Sequence, residues 1–202
     1  QGYSSAASDV YKRQDTTIEW LGKFNEKIQE NKAYLSELDG PIGDGDHGAN
    51  MARGMSETMK ALEVSNFGNV SEIFKKVAMT LMSKVGGASG PLYGSAFLAM
   101  SKTAIETLDT SELIYAGLEA IQKRGKAQVG EKTMVDIWSA FLKDLQTDSA
   151  SKDNLEKVVK ASAGLLATKG RASYLGERSI GHIDPGTQSS AYLFETLLEV
   201  VA

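Results

Sequence analysis

Apolar residues recur along this 202-residue chain at the three- and four-residue intervals of a helix face almost from end to end. Ile18, Leu21, Phe24, Ile28 and Leu35 form one stripe behind a cap-like Asp15-Thr16-Thr17, and Met51, Met55, Met59 and Leu62 form a second. Ile73, Val77 and Leu81, behind Ser71, make a third. A fourth segment, 92–107, is rich in Ala, Gly and Ser, as a closely packed helix would be. Asp109-Thr-Ser-Glu112 reads as a capping box ahead of Leu113, Leu118 and Ile121. Met134, Trp138, Phe141 and Leu145 mark a sixth stripe; Leu155, Val158, Val159, Leu165 and Leu166 a seventh; Phe194, Leu197, Leu198 and Val201 an eighth. No segment alternates as a strand would, and Pro41, Pro91 and Pro185 fall between stripes, where proline disrupts least. The pattern predicts an all-α fold of about eight helices in one domain.

Short loops favour antiparallel neighbours. If the helices alternate, LDGPIGDGDHGAN, VGGASGP, RGKAQVGEKT and KGRASYLGERSIGHIDPG share one end, and EVSNFGN, TLDTS and QTDSASKDN share the other. The first set holds most of the loop glycines, both histidines, all three prolines and a concentration of Lys and Arg. The second set is polar filler. One end of the bundle is therefore expected to carry function.

Composition narrows what that function is. With 42% hydrophobic and 24% charged residues the chain is ordinary for a globular protein. No apolar run approaches the ~20 residues that span a bilayer, so no membrane partner is expected. A net charge of −4 argues against general nucleic-acid binding, which rests on a basic surface. Cysteine is absent, which removes disulfides and thiolate chemistry and makes the cytoplasm the expected compartment. The first 14 residues, QGYSSAASDVYKRQ, look foreign to the rest. They read as a non-native, adapter-derived or disordered leader, leaving residues 15–202 as the single domain.

The stretch Ile42–Met51 poses the chemical question. Gly43-x-Gly45-x-x-Gly48 has the spacing of a dinucleotide turn, yet Asp44, Asp46 and nearby Asp39 would repel phosphate. At about 6 Å and an effective dielectric of about 20, two carboxylates repel by roughly 3 kcal/mol. A divalent cation resolves the conflict, because magnesium takes oxygens from one or two carboxylates together with phosphate oxygens. Gly48, Gly90 and Gly186 lie near predicted helix starts, whose free N–H groups favour anions. A Rossmann site is excluded because the strand before the glycines is missing. Gly125-KAQV-Gly130-Glu-Lys-Thr nearly matches a phosphate-binding P-loop, but Glu131 stands where its lysine belongs.

Taken together, Asp39-GP-IGDGDHGANM, VGGASGPLYG, RGKAQVGEKTMVD and KGRASYLGERSIGHIDPG closely resemble the ADP-binding L subunits of dihydroxyacetone kinases. Related fatty-acid kinase domains typically read DGDTGTNM, with Thr where this chain has His47. The resemblance implies a barrel of eight antiparallel helices with the nucleotide at one end. It implies Asp39, Asp44 and Asp46 as ligands of two Mg2+ ions bridging the phosphates of ADP or ATP. It implies His47, Gly48, Ala49 and Asn50 lining the nucleotide, Ala88 and Ser89 near its phosphates, and Gly125 and Met134 beside the adenosine. Arg171 with the turn Asp184, Pro185 and Gly186 would close the site. The implied activity is phosphoryl transfer without a covalent nucleophile on this chain. ADP would be kept as a cofactor, rephosphorylated by a phosphohistidine M subunit with phosphoenolpyruvate as ultimate donor. The phosphoryl group would pass to dihydroxyacetone on a K subunit. A homodimer is compatible with this picture. Alternatives are an ADP/ATP-dependent regulatory protein that binds a transcription factor, and an ordinary ATP-dependent kinase subunit.

Overall fold

A computed structural model describes residues 2–201, apart from the side chains of residues 2–8 and 11. Eight α-helices follow one another: α1 (Gly2–Asp39), α2 (His47–Glu63), α3 (Val70–Lys84), α4 (Ser89–Thr103), α5 (Thr110–Gly125), α6 (Met134–Gln146), α7 (Lys152–Ser162) and α8 (Pro185–Val201). A 3-10 segment, Arg171–Ser179, interrupts the last connection. No strand occurs among the described residues, so the all-α expectation holds.

Successive helices pack against each other, and α1 meets α8 to close the ring. The apolar stripes turn inward as their periods require. Trp20, Phe74 and Phe97 pack together on one side of the core. Trp138, Phe141 and Phe194 pack on the other, with Phe141 and Phe194 stacked at 4.2 Å. The helices alternate in direction. The α1–α2, α3–α4, α5–α6 and α7–α8 connections all reach one cavity of about 470 Å³. Val70, Asp109 and Val201, from the starts of α3 and α5 and the end of α8, line another of about 710 Å³ at the opposite end.

Helix boundaries follow capping chemistry. Asp109 Oδ2 accepts from Glu112 N–H at 3.1 Å, Ser151 Oγ from Asn154 N–H at 3.1 Å, and Asn69 Oδ1 from Glu72 N–H at 2.9 Å. Asn69 rather than Ser71 therefore opens α3. Thr133 and Asp136 form a reciprocal box at the start of α6.

Three further boundaries depart from the sequence reading. The Thr16 and Thr17 hydroxyls donate back to the carbonyls of Lys12 and Arg13. The cap-like trio thus sits inside a helix that already runs from Gly2, because Thr satisfies its hydroxyl within the preceding turn. α4 begins at Ser89, three residues before Leu92, and places Pro91 in its first turn, where a missing N–H costs nothing. α7 ends at Ser162, so Leu165 and Leu166 belong to the following loop.

Candidate active site

Asp39 closes α1, and its side chain reaches across to the start of α2. Its Oδ2 accepts from the backbone N–H groups of Asp46 at 2.9 Å and His47 at 3.1 Å. A carboxylate from another helix therefore satisfies the helix terminus, a favourable place for negative charge. Asp46, at the N-cap position itself, makes no side-chain cap hydrogen bond. Carboxylate oxygens of Asp39, Asp44 and Asp46 lie within 4.8 Å of one another, the one such cluster of three or more His, Cys, Asp or Glu side chains among the described residues. An all-oxygen carboxylate set of this size suits a hard divalent cation such as magnesium.

Charge in the cluster is already uneven. Asp44 is held below the ordinary carboxylate range, chiefly by its hydrogen bond with Asp46, with the Arg171 guanidinium adding to it. Asp46 is pushed up by desolvation and then by the same hydrogen bond. Arg171 Nη1 donates to Asp44 Oδ2 at 2.5 Å.

Close backbone packing fixes the helix starts. A Cβ on Gly48 would stand 1.7 Å from the Lys32 carbonyl oxygen of α1, and one on Gly90 2.2 Å from the Val85 carbonyl oxygen. These glycines let the first turns of α2 and α4 press against neighbouring backbone. His47 is buried between them, with Nδ1 on the Ser89 hydroxyl at 3.0 Å and Nε2 on the Ser189 hydroxyl at 2.9 Å. Burial depresses its pKa to about 4, so the ring is neutral.

The cavity brings together Asp39, Asp44, Asp46, His47, Asn50, Ala88, Ser89, Gly125, Met134, Arg171, Asp184, Pro185 and Gly186. Gly48 and Ala49 are absent from its lining. Gly48 faces α1, and the Ala49 N–H donates to Ser36 Oγ at 3.3 Å. Asn50 Oδ1 accepts from Arg53 Nη2 at 2.9 Å, and its amide lies where a Cβ on Gly86 would be only 3.2 Å away. Asp184 Oδ2 accepts from the Thr187 N–H at 2.9 Å and hydroxyl at 2.7 Å, capping α8. Desolvation nevertheless raises its pKa to about 6.

Other lining residues were not singled out individually in the sequence, although Arg124 and Lys169 belong to its Lys- and Arg-rich loops. Leu92, Ile121, Ala127 and Val135 join Met134 as apolar wall, and Arg124 and Lys169 add cations. Lys132 is 2% exposed and has a positive φ of 62°. Its ammonium donates to the carbonyls of Ser162 at 2.7 Å and Leu165 at 3.2 Å, tying the end of α7 to the cavity floor. A cue for this role was available only as a lysine in the near-miss P-loop. His182 is half-buried and does not line the cavity.

The family model described as DAK2 domain matches residues 41–199. The chain belongs to the DAK2-domain family. It is 53% identical over 92% of its length, and 96% of the other chain, to a Listeria innocua protein named PEP-dependent dihydroxyacetone kinase 1, ADP-binding subunit DhaL. It is 38% identical over 89% of its length, and 93% of the other, to the Escherichia coli K12 protein named PEP-dependent dihydroxyacetone kinase, ADP-binding subunit DhaL. In fold it matches the crystal structure of the dihydroxyacetone kinase of C. freundii in complex with AMP-PNP and Mg2+, with a TM-score of 0.72 at 24% identity. The match covers 91% of this DAK2 chain and 33% of that one, so the chain spans about a third of the solved protein. No helix among the described residues is long and apolar enough to cross a membrane.

Proposed function

We propose that this chain is the nucleotide-holding subunit of a dihydroxyacetone kinase and keeps Mg-ADP as a cofactor. The observation that carries this reading is one cavity joining the three aspartates, the first turns of α2, α4 and α8, and an apolar wall around Met134. A nucleoside diphosphate has the matching parts: phosphates, metal and base. The names of the Listeria innocua and Escherichia coli relatives support the same assignment.

Two magnesium ions would be held by Asp39, Asp44 and Asp46. Bound there, they would supply neutralisation of the phosphate charge during phosphoryl transfer. The rest of the work falls to the chain. Asp39 keeps the start of α2 in register with the metal ligands through its two backbone hydrogen bonds. The start of α4 at Ser89 would offer backbone N–H groups to phosphate, while α2 and α8, whose first-turn N–H groups are bonded to Asp39, Ser36 and Asp184, would add the partial positive charge of their dipoles. Arg171 balances the acidic cluster from the loop above it. His47 is no phosphoryl acceptor, because it is buried and both ring nitrogens are engaged by serine hydroxyls. Transfer then rests on positioning and charge, with no phosphoenzyme on this chain.

Dihydroxyacetone would bind on a separate K subunit, and a phosphohistidine M subunit would restore ATP from the retained ADP, in the cytoplasm. Both partners would dock in turn at the glycine-rich end, since each must reach the same terminal phosphate. The test is labelled ADP loaded with magnesium and chased with unlabelled nucleotide during turnover with K and phosphorylated M subunits. Label should stay on the chain while dihydroxyacetone phosphate accumulates. Loss of label at the rate of product formation would make it an ordinary ATP-dependent kinase subunit. No transfer, with nucleotide-dependent binding to a transcription factor, would make it a sensor.

A further inference from the structure

Behind the helix starts, six side chains from α2, α4, α6 and α8 form one buried chain of hydrogen bonds. Trp138 Nε1 donates to Ser190 Oγ at 3.1 Å, and Ser190 Oγ lies 2.8 Å from the Tyr93 hydroxyl. Tyr93 lies 2.6 Å from Ser189 Oγ, Ser189 2.9 Å from His47 Nε2, and His47 Nδ1 3.0 Å from Ser89 Oγ. Trp138, Tyr93, Ser189 and Ser190 are 0% exposed, and Ser89, at the far end, lines the cavity.

The chain has a direction because its buried end is an indole. Indole N–H only donates, and each hydroxyl has a single proton. Ser190 accepts from Trp138, so its own proton has one hydroxyl to go to, that of Tyr93. Tyr93 then spends its proton on Ser189. Ser189 has two acceptors in reach, His47 Nε2 at 2.9 Å and the Gly186 carbonyl at 3.3 Å, and the ring nitrogen is the nearer. Nε2 therefore accepts, the imidazole proton sits on Nδ1, and Nδ1–H donates to Ser89.

We propose that this relay holds the Ser89 hydroxyl as a donor aimed into the cavity, with Trp138, Ser190, Tyr93 and Ser189 as positioning residues for it. The reversed polarity would turn a serine lone pair on the phosphates. The assignment of the receiving group as phosphate rests on the nucleotide reading above; the direction of the relay does not.

Two-bond 15N–1H correlation of the histidine rings reads the tautomer directly, with His182→Gln to assign the two histidines. Nucleotide-free wild-type protein at neutral pH should show His47 protonated on Nδ1. Tyr93→Phe removes the hydroxyl that loads Ser189, so the ring should populate both tautomers, and calorimetric Kd for Mg-ADP should rise about three- to tenfold, the range for one lost hydrogen bond. If Tyr93→Phe fails to fold, Ser189→Ala cuts the relay one step later and should weaken Mg-ADP binding comparably. Proton density on Nε2 in the wild type would overturn the proposal, as would an unchanged tautomer and affinity in Tyr93→Phe. Wild-type protein that ignores Mg-ADP altogether would overturn the nucleotide reading, while the tautomer would still decide the direction of the relay.

Discussion

Gly48→Ala should break the site from behind, without touching any ligand-facing group. The added Cβ would stand 1.7 Å from the Lys32 carbonyl oxygen and 2.8 Å from Ser36 Oγ. Restoring an ordinary carbon–oxygen contact of about 3.3 Å needs the start of α2 to retreat by about 1.6 Å. Overpacking against backbone belongs at the upper end of the usual range, about 3 kcal/mol, and better helix propensity returns about 1 kcal/mol. The net loss of about 2 kcal/mol lowers Tm by roughly 4–8 °C in a chain of this size. The same retreat pulls the Asp46 and His47 N–H groups off Asp39, from 2.9 and 3.1 Å. Because those hydrogen bonds hold Asp39 among the metal ligands, and one to a charged group contributes about 1.5–3 kcal/mol, Mg-ADP affinity should fall at least about tenfold. Gly22→Ala is the control. Its Cβ would meet only Met59 Cε at 3.7 Å, an ordinary contact, so it should stabilise α1 by about 0.5–1 kcal/mol. Thermal unfolding by circular dichroism and calorimetric titration with Mg-ADP measure both effects. Equal stability and affinity of Gly48→Ala and wild type would refute the packing argument.

Lys132→Met keeps length but leaves the carbonyls at the end of α7 without their buried donor; the loss should be about 2 kcal/mol, read as a Tm lower by roughly 4–8 °C. Arg171→Lys keeps the charge yet gives up the planar fork suited to carboxylate and phosphate; calorimetry should show weaker ADP binding, and less effect for Arg124→Lys. Asp184 has a folded pKa raised to about 6 from an ordinary 3.8, so the advantage of its protonated form is complete below about 4 and disappears as pH rises through about 6. Melting curves across that window should therefore show wild type losing stability relative to Asp184→Asn as pH rises, and a flat difference would remove desolvation as the cause.

The helix count, the inward stripes and the meeting of the glycine-rich loops at one end were legible because local pattern and loop chemistry carry them. Asp39, Asp44 and Asp46 stood out since acidic residues beside glycines contradict each other without a cation. Thr16 and Thr17 misled because a hydroxyl caps a helix start and bonds back within a helix equally well. Lys132 stayed hidden: its burial depends on carbonyls about thirty residues away, and nothing local marks a lysine that takes a left-handed conformation. The 3-10 segment carrying Arg171 lacks an apolar period to announce it. Tyr93, Ser189 and Ser190 went unmarked, because contacts between α4 and α8, nearly a hundred residues apart, leave no trace in spacing.

The central claim is that the aspartate cluster holds the cations through which nucleotide binds. It is tested most directly by the thermal stabilisation that Mg-ADP confers on wild type and on Asp44→Ala, each with and without a chelator. Asp44 is exposed, and its replacement should leave the helical circular dichroism spectrum unchanged. At a hundredfold excess over Kd, ligand binding stabilises by about 2.7 kcal/mol, which is a Tm rise of roughly 5–11 °C. Wild type should show that rise and lose it to the chelator, and Asp44→Ala should show little of it in either condition. Equal rises in both proteins, untouched by the chelator, would contradict the claim.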